Sequence, residues 1–282
     1  MTAEGTAREA LGEADRAGNS RTLENLARIG FFAYGLVHLL VAWLAVQLAW
    51  GDGGGEADQS GAMGTLARSP VGKPLLWLLV AGFLCLALWQ AAKALNLRSG
   101  WSAQGKQRRR AIQKSAEAVG MAIVYLGFGY LALRFAAGSG QSSVQKQQKA
   151  TAGVIGWPGG RVIVVVAGLI LICVGVRQVY YGVTRKFLDQ IDLTDAPPDA
   201  VRLVTGIGRV GFPAKGAALI LAGGLFGYAA ITYDPSKARG LDGAMQTILA
   251  APFGAVLLTI VAVGIAAFGA FCFARARYPE RT

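Results

Sequence analysis

Four side chains could do chemistry inside otherwise apolar stretches of this chain: His38, Tyr125, Glu117 and Arg177. His38 is the only histidine and lies near the middle of an apolar block, with Tyr34 one helical turn before it and Gly35 and Ala42 on the same face. At such depth an imidazole either serves function, as a proton relay or an axial ligand, or sits neutral and bonded to another helix. One histidine rules out bis-histidine haem ligation within the chain. Tyr125 occupies the position matching His38 in an internal repeat described below, and the two form a candidate intramembrane polar site. Glu117 and Arg177 lie about one turn inside two neighbouring apolar blocks and carry opposite charges. Because a buried charge without its partner costs about 3–5 kcal/mol, matched depth predicts an ion pair. The competing reading is an Arg177 that snorkels to the interface alone.

Beyond these, catalytic chemistry has no candidates. The sequence has no paired carboxylates, no Ser–His–Asp set, no metal-ligand cluster and no phosphate loop. Asp52-Gly53-Gly54-Gly55-Glu56 is glycine-rich but lacks the following Gly-Lys-Ser/Thr and a preceding strand, so it reads as an external loop. Cys85, Cys173 and Cys272 are too scattered for a zinc site and fall within apolar blocks, where they read as packing residues. Gln47, Gln90 and Gln178 are expected to form interhelical hydrogen bonds, and Arg134, Arg161 and Lys215 lie near block ends and need no partner. The acidic run Asp189, Asp192, Asp195 and Asp199 reads as a solvated linker. No catalytic residue, cofactor-binding residue or metal ligand is assigned, no cofactor is implied, and no enzyme activity is predicted.

The elements that would position these residues follow from composition. Of 282 residues 54% are hydrophobic and only 16% charged, against about 25% charged in a soluble domain. Six apolar blocks stand out, at 29–50, 75–95, 116–137, 161–182, 211–232 and 252–274. Each is about 20 residues, the length that crosses a bilayer core, and backbone groups in lipid must pair within their own segment, so all six are predicted as helices. The formal charge of +12 reflects basic connections between spans, not a nucleic-acid surface. Of the 28 Lys and Arg residues, 20 fall on one side of the six spans and 8 on the other. The positive-inside rule then places both termini of this inner-membrane protein in the cytoplasm. Expected partners are the bilayer, anionic lipid headgroups at the cytoplasmic basic residues, and a membrane-protein partner. The oligomeric state is left open. Residues 1–23, with acids among the arginines and no apolar core, read as a cytoplasmic tail that is disordered or weakly helical.

An internal repeat organises the spans. Pro-x-Gly recurs as Pro70-Val71-Gly72, Pro158-Gly159-Gly160 and Pro252-Phe253-Gly254, at spacings of 88 and 94 residues. An offset of 88 also aligns Cys85 with Cys173 and Gln90 with Gln178. An offset of 181 aligns Arg28-Ile29-Gly30-Phe31 with Arg209-Val210-Gly211-Phe212, and an offset of 87 aligns His38 with Tyr125. The predicted units are repeat 1 at 24–97, a basic linker at 98–111, repeat 2 at 112–184, an acidic Pro-containing linker at 185–205, repeat 3 at 206–278 and a tail at 279–282. Three same-way hairpins imply a pseudo-threefold six-helix bundle or a simple row of hairpins. Gly168, Gly175 and Gly182 draw one stripe along the fourth span, and Gly223 and Gly227 form a G-x-x-x-G pair on the fifth; both are predicted to be helix-packing sites. Glu117 is the odd one out against Gly30 and Gly211, as is Arg177 against Trp89 and Phe271.

Ala27-Arg28-Ile29-Gly30-Phe31 with Gly35 and Ala42, Gly208-Arg209-Val210-Gly211-Phe212 with Gly216, the Pro-x-Gly tripeptides and the ending Arg275-Ala276-Arg277-Tyr278 carry a resemblance. On these residues the chain resembles, over about 24–278, the bacterial membrane family named domain of unknown function 1206, built of tandem two-helix repeats. The second copy departs, with Ser115-Ala116-Glu117 where the others have Arg-x-Gly. The resemblance implies a topology and no activity. Three readings of function stand: a non-enzymatic structural or partner-binding membrane protein, a small-solute or ion channel or transporter with a passage along the bundle axis, and an enzyme.

Overall fold

The computed structural model describes residues 3–51, 56–102, 104–141 and 143–279; the glycines of the 52–55 loop lie outside them. Among the described residues the chain is all helical, with one isolated β-bridge between Ile191 and Pro279. The six spans are carried by α1 (Ala3–Ala49), α3 (Gly72–Asn96), α4 (Gly105–Ala136), α6 (Gly160–Thr184), α7 (Pro198–Thr232) and α9 (Gly254–Arg277). Between the two spans of each repeat, where hydropathy predicts an external loop, lies a short helix: α2 (Gln59–Arg68), α5 (Ser143–Ile155) and α8 (Gly240–Leu249). The first span's helix extends back to Ala3.

The same local chemistry starts the second span of every repeat. Ser69-Pro70-Val71-Gly72, Trp157-Pro158-Gly159-Gly160 and Ala251-Pro252-Phe253-Gly254 are tight turns closed by Gly72 N–H to Ser69 O at 3.0 Å, Gly160 N–H to Trp157 O at 2.9 Å and Gly254 N–H to Ala251 O at 2.8 Å. Proline's fixed φ suits the second position of such a turn. The glycine is required by packing, since a Cβ on Gly72, Gly160 or Gly254 would overlap the carbonyl of Leu66, Val154 or Leu249 in the short helix before it. The prolines therefore sit two residues ahead of each helix, not within its first turn.

Around the bundle, α1 packs on α3 and α9, α3 on α4, and α7 on α6 and α9. The order is that of a ring read along the chain, with one exception. The two spans of the second repeat, α4 and α6, share no packed interface along their length. Only 22% and 17% of their apolar windows are buried, against 61% and 50% for the spans of the first repeat. The short helices cover the face opposite the termini. Met63, Thr151 and Met245, which correspond under offsets of 88 and 94, are all buried there. Asp242 ties this layer together: its 1%-exposed carboxylate accepts from Ala57 N–H at 3.0 Å, Arg239 at 3.0 Å and Gln246 Nε2 at 2.9 Å. Three donors satisfy a buried carboxylate that would otherwise be costly.

Backbone contact between spans depends on small residues. A Cβ on Gly35 would lie 2.8 Å from Gly269 O, and one on Gly216 2.5 Å from Gly175 O. Under offsets of 181 and 94 these are one crossing used twice, between α1 and α9 and between α6 and α7. Gly168 and Gly223 repeat it one level away, at 2.7 and 2.5 Å, and Gly182 makes room for the ring of Pro213. Gly227 brings its backbone nitrogen 3.2 Å from the Cβ position of Gly168 but presents its own Cβ position to open space, so of the pair only Gly223 must lack a side chain.

Candidate functional site

The side chains with chemical potential fall in two places, an axial hub and the seam between α4 and α6. At the hub, Tyr34 of α1 is the centre. Its ring stands 5.5 Å from Tyr125 of α4, 6.3 Å from Phe83 of α3 and 6.1 Å from Phe268 of α9. Its hydroxyl accepts a hydrogen bond from Lys215 Nζ of α7 at 2.7 Å. A place near a span end predicts a Lys215 that needs no partner. Instead its ammonium turns inward and lies 3.9 Å from the Phe268 centroid and 4.9 Å from that of Tyr34. The ring faces and one hydroxyl take the place of a carboxylate. Sequence carried a signal for this: the offset of 181 that aligns Gly35 with Gly216 also aligns Tyr34 with Lys215, so equivalent positions of two repeats meet at the centre.

His38 is buried one turn further along α1, 4.9 Å from Phe268 ring to ring. Its Nδ1 bonds the carbonyl of Tyr34 in its own helix at 2.9 Å, not a group on another helix. His38 and Tyr125 both touch Tyr34 and belong to one aromatic cluster, with ring centroids of 4.4 and 5.5 Å to Tyr34. No span carboxylate joins this cluster among the contacts described, and no group of three or more His, Cys, Asp and Glu able to hold a metal occurs among the described residues. The hub is a set of close-packed rings around one lysine, one histidine and two phenols, with Lys215 and Tyr34 joined by a hydrogen bond.

The seam is different in character. Arg177 of α6 donates from Nη2 to Glu117 Oε2 at 2.7 Å and to the Tyr181 hydroxyl at 2.9 Å. The two charged side chains are 46% and 51% exposed, so this is a half-exposed bridge across an open gap, not a buried pair. Below it the walls are apolar and open: Val124 on α4 and Ile170 and Val174 on α6 are 45%, 58% and 44% exposed. The repeat explains the gap. In repeat 1 a Cβ on Gly82 would overlap Ala33, and in repeat 3 one on Gly264 would overlap Ala214, so each hairpin closes by seating an alanine against a glycine. The same positions in repeat 2 are Gly120 and Ile170, and Gly120 has nothing within 4 Å of its Cβ position. One level nearer the termini, Gly211 approaches Phe268 N within 2.5 Å of its Cβ position, whereas repeat 2 has Glu117 there. Bulk and charge have replaced the two glycines that close the other hairpins.

The remaining sequence candidates are placed as follows. Cys272 is buried, Cys85 half-buried and Cys173 exposed on α6. Gln90 is buried. Arg161 bonds Ala230 O at 3.0 Å and the Tyr233 hydroxyl at 2.5 Å, and Arg134 bonds Ser139 and Tyr130, both at the face opposite the termini. The acidic connection after α6 is pinned to the last span, through Asp192 N–H to Tyr278 O at 3.3 Å and Arg275 to Gln190 at 3.0 Å.

The sequence profile of the family described as Domain of Unknown Function (DUF1206) matches three stretches, 29–96, 116–185 and 210–279. Each holds two spans and the short helix between them. The chain belongs to the DUF1206 family. It is a family of three tandem helical repeats in this chain, all-helical with six membrane-length spans. It is also similar to the uncharacterized protein YxxB of Bacillus subtilis (strain 168), at 28% identity over 260 residues that cover 92% of each protein. No solved structure matches the chain.

Proposed function

We propose that this DUF1206 protein is a non-enzymatic protein of the bacterial plasma membrane that binds a partner within the bilayer through the open seam of its second repeat. The observation that carries this reading is that two adjacent spans are left unpacked against each other, bridged only at one end by Glu117 and Arg177, while every other neighbouring pair is packed. Apolar helices are held together in lipid by close contact, so a hairpin without one leaves its facing surfaces for something else. The axis supports the same choice over a passage, because Tyr34, Phe83, Tyr125 and Phe268 fill it and α2, α5 and α8 cover one face. The 20-to-8 division of basic residues supports cytoplasmic termini.

Two experiments test this. A photoreactive residue at Ile170 in native membranes should yield one discrete adduct, absent from the outward positions Leu88 and Val263, which are 59% and 58% exposed. The same pattern at all three positions would overturn the reading. For topology, an impermeant thiol reagent in intact cells should label Lys237→Cys and spare Gln107→Cys in a Cys-free background. Labelling at Gln107 would reverse the orientation.

A further inference from the structure

The seam's mouth on the terminal face is lined with cations. α4 begins at Gly105, well before its apolar part, and carries Lys106, Arg108, Arg109, Arg110 and Lys114, all exposed. None of these five makes an ion pair among the described residues. Arg110, Lys114 and Glu117 follow at intervals of four and three, so they share one helix face. That face is the seam side, because Glu117 reaches across it to Arg177. On the other wall, Arg185 and Lys186 stand exposed just beyond the end of α6. At about 1.5 Å per residue, Lys114 and Arg110 stand roughly 3–10 Å beyond the first apolar turn of α4, at the depth of lipid headgroups. Of the acids in the connection after α6, the Asp192 carboxylate accepts from Thr194 of its own turn, Asp189 lies beside Lys186, and Asp199 lies 3.9 Å from Arg202 on α7.

An apolar slot open to the side, topped at headgroup depth by clustered cations, has the shape and charge of an amphiphile with a negative head. We propose that one anionic phospholipid occupies the seam, its acyl chains between Val124 and Ile170 and its phosphate held by Arg110, Lys114 and Arg177. The inference rests on the partner-binding reading above and names the partner's class. A phosphate is met bidentately by guanidinium groups and by the point charge of lysine, whereas a zwitterionic headgroup brings its own cation and competes poorly. The chains supply what Gly82 and Gly264 supply in the other repeats, a surface that fills the gap between two spans.

The test is native mass spectrometry of the full chain, extracted in mild detergent from membranes containing phosphatidylglycerol and phosphatidylcholine. One phosphatidylglycerol per chain should remain bound. Arg110→Gln with Lys114→Gln should lower its occupancy by about tenfold or more. Arg202→Gln with Arg209→Gln, which removes the same charge from the same face on α7, should leave it unchanged. Gly120→Leu fills the slot without touching a charge and has open space for its side chain, so it should also expel the lipid. Equal retention by the two charge pairs, or full retention by Gly120→Leu, would mean general attraction to a basic surface and would overturn the proposal. A protein adduct at Ile170 without retained lipid would overturn the lipid and leave the partner-binding reading standing. Absence of both a discrete adduct and a retained lipid would overturn both.

Discussion

Repeats 1 and 3 close as packed hairpins, while repeat 2, with the same connectivity, the same short middle helix and the same Pro-x-Gly turn, stays open. The positions that differ are few. Ala33 against Gly82 and Ala214 against Gly264 become Gly120 and Ile170, and Gly30 and Gly211 become Glu117. Interfaces between repeats survive because their own small residues are kept: Gly175 with Gly216 joins α6 to α7 as Gly35 with Gly269 joins α1 to α9. A two-helix membrane unit can therefore keep its neighbours while losing its own internal contact. Hairpin connectivity is set by the chain, and hairpin packing by one or two glycines.

The largest effect should come from making repeat 1 resemble repeat 2. Gly82→Ile drives a branched side chain into Ala33, and overpacking of this kind should cost about 3 kcal/mol, read as a lower melting temperature in detergent. A melting temperature unchanged by Gly82→Ile would show that the alanine–glycine seat does not hold hairpin 1 closed.

Next in size is the contrast between two ion pairs. Asp242 is buried in the layer of short helices, where Arg239, Gln246 and Ala57 N–H depend on it, so Asp242→Ala should cost roughly 2 kcal/mol in the same assay. The seam pair should behave as a surface pair. Glu117→Ala and Arg177→Ala should each cost under about 1 kcal/mol, with a coupling near 0.5 kcal/mol in the double-mutant cycle, because both side chains are about half exposed. A seam coupling as large as the Asp242 effect would mean that the pair, not the loss of glycine, defines repeat 2.

The smallest effect should be the reverse exchange. Ile170→Gly restores the glycine of the other repeats but leaves Glu117 in the way, and glycine inside a helix costs up to about 1 kcal/mol. Stability should fall by no more than that, and a cysteine pair placed at 120 and 167 should cross-link no faster than in the parent. Rapid cross-linking after Ile170→Gly would show that one residue alone holds the seam open.

Much of the fold was legible because membrane spans are a local property. Twenty apolar residues in a row must be a helix in lipid, and the period of Pro-x-Gly marks the copies, since each turn uses proline's φ and a glycine against the preceding carbonyl. The short helices were missed because ten to thirteen mixed residues between spans have no such length signal, although Met63, Thr151 and Met245 kept the period. Lys215 was misplaced for a related reason: a lysine near a span end normally faces headgroups, and nothing local says that it will turn inward to a phenol on a span far away in sequence.

Sequence by itself determined six spans, three copies and the odd chemistry of Glu117 and Arg177, because hydropathy, turn residues and the repeat period are written residue by residue. Only the tertiary structure decided which copies close, that Tyr34 gathers side chains from four other spans, and that the cations of α4 stand over an open seam. Those depend on whether two backbones can approach, and a single Cβ settles that only when both helices are in place.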